Sequence, residues 1–98
     1  MTKGEKKEHW LIGVGGNEMD GVSIYRVCGT KEDVKRYIAE RVTQDKDQCE
    51  DDAWEYGSED ADSIEERFDG SLYGYSCFTD FHLDYEAKRE DDIELLML

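Results

Sequence analysis

Residues 45–69 hold twelve acidic side chains against two basic ones, a net charge of −10 in one quarter of a 98-residue chain. Residues 1–44 are near neutral at +1 and residues 70–98 carry −5, which completes the formal total of −14. A one-signed excess of this size opposes compaction by self-repulsion. A chain this short also buries a smaller fraction of its surface than a large domain does, so its core is marginal. Eleven aromatic side chains work in the other direction, because each can remove a large area from water. Stability is therefore expected to rise with added salt, as the repulsion is screened.

The same charge narrows the function classes. An acidic surface does not neutralise phosphates, which argues against direct binding to DNA, RNA or an anionic membrane. No apolar run approaches the roughly 18 residues that span a bilayer. The length allows a single domain. Residues 1–8 are charged, lack an apolar stretch of the signal-peptide kind, and are expected to be flexible. Cys28, Cys49 and Cys77 form an odd set without a C-x-x-C pair. That set does not suit a disulfide scaffold, so a reducing cytoplasm is expected, with Cys28 and Cys77 as small core residues.

Periodicity outlines an α+β domain. Trp10, Ile12 and Val14 alternate through residues 9–14 and predict a strand. Gly15, Gly16 and Asn17, then Asp20 and Gly21, supply turn residues before a second strand over residues 22–28. These two strands predict an antiparallel hairpin. Thr30 followed by Asp33 resembles a capping box, and Val34, Tyr37, Ile38 and Val42 recur on one helical face, so residues 31–43 predict a helix. Residues 44–57 read as an acidic connecting segment that Trp54 and Tyr56 pin to the core. Ser58 is a second N-cap candidate. Ala61, Ile64 and Phe68 share a helical face and Gly70 suits the residue after a helix, so residues 59–69 predict a short second helix. Residues 71–78 and 81–88 read as strands, joined by a tight turn at Thr79 and Asp80 or continuous as one bent strand. The apolar end from Ile93 to Leu98 is a last strand or a docking tail. The expected order is β-β-α-α-β-β, with about four antiparallel strands and two helices on one side of the sheet.

Several chemical motifs fail on spacing. Gly13, Gly15 and Gly16 lead toward a strand rather than a helix, and no Lys-Ser/Thr step follows, which favours a hairpin turn over a phosphate loop. A calcium loop opening at Asp45 needs glycine at position 50 and glutamate at position 56; the chain has Glu50 and Tyr56. His82 and Asp84, even with Cys77 or His9, match no metal-ligand spacing and no nucleophile arrangement. Tyr73, Tyr75, Phe78, Phe81 and Tyr85 lack the basic neighbours that nucleobase-stacking sheets need, which favours a core role. No catalytic residues, metal site or cofactor are expected, and an enzyme is the least favoured reading.

The acidic segment carries the functional expectation. Its candidate partner-binding residues are Asp45, Asp47, Glu50, Asp51, Asp52, Trp54, Glu55, Glu59, Asp60, Asp62, Glu65 and Glu66. Duplex DNA presents one charge per roughly 1.7 Å of axis; this segment, if helical, would present one per about 4 Å. Trp54, Tyr56 and Phe68 add apolar anchors. In size and composition the chain resembles, at the level of a class, the DNA-mimic inhibitors of phages and mobile elements, such as anti-restriction and anti-CRISPR proteins. That resemblance implies a basic nuclease or DNA-binding protein as partner. Two other readings remain open: an immunity protein for a nuclease toxin, and an accessory or structural protein whose acidity serves solubility. In the last case the tail Ile93, Leu95, Leu96, Met97 and Leu98 would be a homodimer contact.

Overall fold

Two hairpins and one helix carry the core in the computed structural model, which describes residues 7–17, 21–49, 53–79, 81–93 and 95–97. The first hairpin pairs β1 (Glu8–Gly16) with β2 (Ser23–Gly29), as the alternation implies. The second pairs β5 (Leu72–Phe78) with β6 (His82–Arg89). The backbone N–H of Phe78 donates to the carbonyl of Phe81 at 2.8 Å, and their rings stack with centroids 4.7 Å apart. Residues 71–88 are thus two paired strands, not one bent strand; Asp80 lies outside the described residues. β6 also pairs with β1, so the hairpins join in one antiparallel sheet.

The helix α1 (Lys31–Gln48) starts where the capping box was expected. The Thr30 hydroxyl accepts from the Asp33 N–H at 3.1 Å, and the Asp33 carboxylate accepts from the Thr30 N–H at 3.0 Å. Its buried face is Val34, Ile38, Ala39 and Val42; Tyr37 is only half-buried. That face packs on Trp10, Ile12, Leu72, Tyr85 and Ala87 from the sheet. Gly74 marks the closest approach: a Cβ there would lie 2.8 Å from Ile38 and 2.9 Å from Ile64, too near for any side chain. Trp10 is fully buried, and its indole N–H donates to the Gly29 carbonyl at 3.3 Å.

Three expectations are corrected. First, the described residues hold one α-helix and six strands, not two helices and four strands. β3 (Trp54–Gly57) lies inside what read as a connecting segment and pairs with β5. Residues 59–69 form a single 3-10 turn, Ala61–Ser63, followed by β4 (Glu65–Glu66), which also pairs with β5. The apolar spacing misleads there: Ile64 is buried under the helix, but Phe68 is fully exposed. Gly70 does take a left-handed backbone, with φ of +88°, but in a turn leading to β5 rather than at a helix end. Ser58 caps nothing; it is buried, and its N–H and hydroxyl bracket the Tyr75 backbone.

Second, α1 continues a turn past Thr43 through Gln48. The stripe Val34, Ile38, Val42 is prolonged by Asp45, a carboxylate in an apolar register. Third, Cys28 is exposed and Cys77 half-buried on the face of the sheet away from α1, so neither is a core residue; all three cysteines are free thiols. Residues 1–6 lie outside the described residues, while Glu8 already belongs to β1. Among the described residues no helix is long and apolar enough to cross a membrane.

The strand order is β2-β1-β6-β5-β3, with β4 beside β5. β3 meets β5 at Ser76–Phe78 and β4 meets it at Leu72 and Tyr73, so these two short strands share one margin of the sheet. β2 forms the opposite margin.

Candidate functional site

The described acidic residues of 45–66 gather around the β3–β4 margin and the outer side of α1, and they divide into three groups. Asp45 points inward. Its carboxylate accepts from the Ser76 hydroxyl and from the Tyr85 hydroxyl, both at 2.6 Å. Ser76 and Tyr85 are fully buried, so this carboxylate satisfies two donors that would otherwise be stranded. Burial, with the hydrogen bond to Asp45, pushes the Tyr85 phenol well above its ordinary range and holds it as a donor. Asp45 therefore ties the end of α1 to the sheet.

The second group is matched internally by cations from elsewhere in the chain. Glu66 lies 2.6 Å from Lys35 and 3.2 Å from Lys31. Those hydrogen bonds hold the Glu66 carboxyl below its usual value and raise the Lys35 ammonium. Glu59 pairs with Lys46 at 2.9 Å, which raises the Lys46 ammonium, and Lys46 also sits 5.1 Å from the Trp54 ring centre. Trp54 is half-buried against the core, whereas Tyr56 is exposed on the sheet's open face. Glu55, also exposed, stands apart from this group: among the described residues it has no cation partner and takes only a weak thiol hydrogen bond from Cys77 at 3.7 Å.

The third group has no such match. Among the described residues no lysine or arginine lies within ion-pairing distance of Asp47, Asp60, Asp62 or Glu65. Glu40 joins them. It is exposed on α1, seven residues before Asp47, and it borders a shallow groove of about 370 Å³ between α1 and the Asp60–Ala61 turn. Sequence reading left Glu40 out because it lies before the acidic run; its helical register with Asp47 is the signal that places the two on one side. Glu50, Asp51 and Asp52 lie outside the described residues.

The open face of the sheet is a separate neighbourhood. Tyr73 and Tyr75 are half-buried there and stack with centroids 6.2 Å apart, and Tyr56 meets Tyr75 edge-on at 5.7 Å. The core role expected for the aromatic run holds for Phe78 and Tyr85 and fails for these two. Arg67 covers Tyr73 at 4.4 Å and pairs with Glu86 at 2.8 Å. The Tyr73 hydroxyl donates to Asp84, which also meets His82 at 3.2 Å. Burial is the main reason that the Tyr73 phenol is raised far above its ordinary value, so it stays protonated. Among the described residues no three histidine, cysteine or acidic side chains converge as metal ligands.

No protein-family model matches the chain, and neither a curated protein nor a solved structure matches it at a significant level.

Proposed function

We propose that this protein is an acidic binding module whose partner is a strongly basic protein, and that it inhibits that partner by occupying a nucleic-acid site. One observation supports the reading above others. Of the cations beside the acidic segment, Lys31, Lys35 and Lys46 are committed to Glu66 and Glu59, and Arg36, which lines the α1 groove, is committed to Asp33. The charge left over at Glu40, Asp47, Asp60, Asp62 and Glu65 makes no direct ion pair, although Asp62 and Asp47 feel Lys35 and Lys46 at longer range, and it supports attraction of cations from outside. Such a surface speeds encounter and sets orientation more than it supplies raw affinity. The apolar floor of the α1 groove, Ala39 and Ala61, suits the aliphatic stem of an incoming arginine or lysine.

The test is competition. Basic nucleases and DNA-binding proteins are titrated with the protein in the presence of labelled duplex DNA, and displacement is followed against salt. The expected result is displacement that weakens steeply as salt rises. The variant Asp47→Asn, Asp60→Asn, Asp62→Asn, Glu65→Gln should lose at least about tenfold in affinity, about 1.4 kcal/mol. Tight binding that survives this fourfold neutralisation, or a partner bound without displacing DNA, would overturn the assignment.

A further inference from the structure

We propose that β2 is a self-association edge, through which two copies of this chain join their sheets antiparallel along residues 22–28. Among the described residues no strand pairs with the outer side of β2, so its outward N–H and C=O groups have no sheet partner. Its side chains suit an interface better than water: Ile24 is 67% exposed and Tyr25 40%, and Val22, just before the strand, is 66% exposed. The strand has no proline and, unlike β3, no break in register. These are the features by which an edge strand templates further pairing.

Charge selects a second copy as the occupant. A chain of −14 repels itself almost everywhere, but β2 bears one charged side chain, Arg26. That guanidinium is already neutralised by Glu90, at 2.6 Å. The acidic margin lies at the opposite side of the sheet. Joining at β2 places the two acidic margins at the outer ends of a joint sheet ten strands wide, roughly 40 Å apart at the usual strand spacing. The screening length in physiological salt is only about 8 Å. The strand is also self-complementary. Gly29 is buried against Asp33 at the start of α1, so the accessible run is residues 22–28, which centres on Tyr25. Antiparallel pairing about Tyr25 sets Tyr25 against its own copy, Ile24 against Arg26 and Ser23 against Val27, and keeps the two Arg26 side chains from facing each other. A closed two-fold contact of this kind uses the same surface on both copies. It is independent of the proposed cationic partner, which addresses the other margin.

The experiment is sedimentation equilibrium on the full chain across a wide concentration range, at low and high sodium chloride. The expected mass at high concentration is twice 11.4 kDa, and dimerisation should strengthen with salt, because salt screens the repulsion between copies. Ile24→Lys with Tyr25→Lys should return the monomer with an unchanged circular dichroism spectrum. Leu95→Glu with Leu96→Glu, in the exposed tail, should leave the dimer intact. As a check that does not depend on the lysine variant folding, Tyr25→Cys should cross-link to its own copy under mild oxidation. Opposed residues of an antiparallel pair lie about 4.5–5.5 Å apart at Cα, within disulfide reach. A wild-type monomer at every concentration, a dimer that survives the lysines, a dimer abolished by the tail variant, or no cross-link through position 25 would each overturn the proposal.

Discussion

β2 runs seven residues along one margin of the sheet with Arg26 as its single charge; the other margin is divided between β3, four residues with a register shift, and β4, two glutamates. Short strands, bulges and charge are how edge strands are kept from pairing further. The acidic margin has all three, whereas β2 is longer, unbroken in register and carries only Arg26, which Glu90 pairs. Under the two proposals, one excess of charge would serve two ends: a surface for a cationic partner at one side, and restriction of self-contact to the other. Salt should therefore act oppositely at the two margins, weakening any complex with a basic protein and strengthening self-association.

The largest effect is expected where the acidic margin is anchored. Asp45→Ala removes the acceptor of two buried hydroxyls, Ser76 and Tyr85. With charge-assisted hydrogen bonds at about 1.5–3 kcal/mol each, partly offset by relief of repulsion, the expected loss is about 3 kcal/mol. Urea titration measures it. Tyr85→Phe removes one of the two donors and should cost clearly less. Equal losses for the two variants would show that the Tyr85 bond carries the whole effect and the Ser76 bond none; a neutral Tyr85→Phe would show that Asp45 does not act through that bond.

The β2 margin is anchored differently, through the cap where β2 hands over to α1. Thr30→Ala should cost about 1 kcal/mol, as loss of an N-cap does. Combining it with Asp33→Ala should add little, because the two side chains serve one reciprocal motif. A fully additive double variant would count against the capping box.

These anchors also show what sequence reading could reach. The hairpins and the start of α1 were legible because Trp10, Ile12 and Val14, and Val34, Ile38 and Val42, bury apolar side chains at a clear period. The last turn of α1 was not, because Asp45 occupies the core-facing position there, and a carboxylate reads as solvent-exposed until its two hydroxyl donors are seen. β3 and β4 escaped because edge strands bury little: Glu55, Tyr56, Glu65 and Glu66 are all exposed. Ala61 and Ile64 mimic a helical face that a 3-10 turn shares. The acidic segment itself was legible, but not its division. Glu59 and Glu66 find their cations 13 to 35 residues away in α1, a pairing that only the fold creates.

Acid should weaken both margins. Asp33 is held low chiefly by the Thr30 backbone, Glu66 by Lys35 and Lys31, Asp69 by Ser71 and Glu90 by Arg26. A carboxyl depressed in the folded state stabilises it at pH values above the unfolded value, about 4. That stabilisation is lost as pH falls through the folded values. The thermal midpoint should accordingly fall below about pH 4, even though protonation also relieves repulsion. A midpoint that keeps rising down to pH 3 would mean that repulsion outweighs all four of these interactions.

The smallest effects discriminate most finely, because each margin offers an ion-pair node to compare. Glu66 holds Lys31 and Lys35; Arg26 holds Glu90. Counting partners alone, Glu66→Gln should be the more damaging change. Net charge reverses that order. Glu66→Gln loses two pairs of an exposed carboxylate, which count for little, but it takes the chain from −14 to −13 and relieves repulsion. Arg26→Gln loses one pair and takes the chain from −14 to −15, so both of its consequences destabilise. At low salt and low protein concentration Arg26→Gln should be slightly but measurably less stable than the parent, and Glu66→Gln nearly unchanged. In high salt the two should converge, because screening removes the repulsion that separates them. If Glu66→Gln is the worse variant at low salt, the local pairs outweigh the global charge, and the acidic margin is held by its lysines more firmly than the β2 margin is by Arg26.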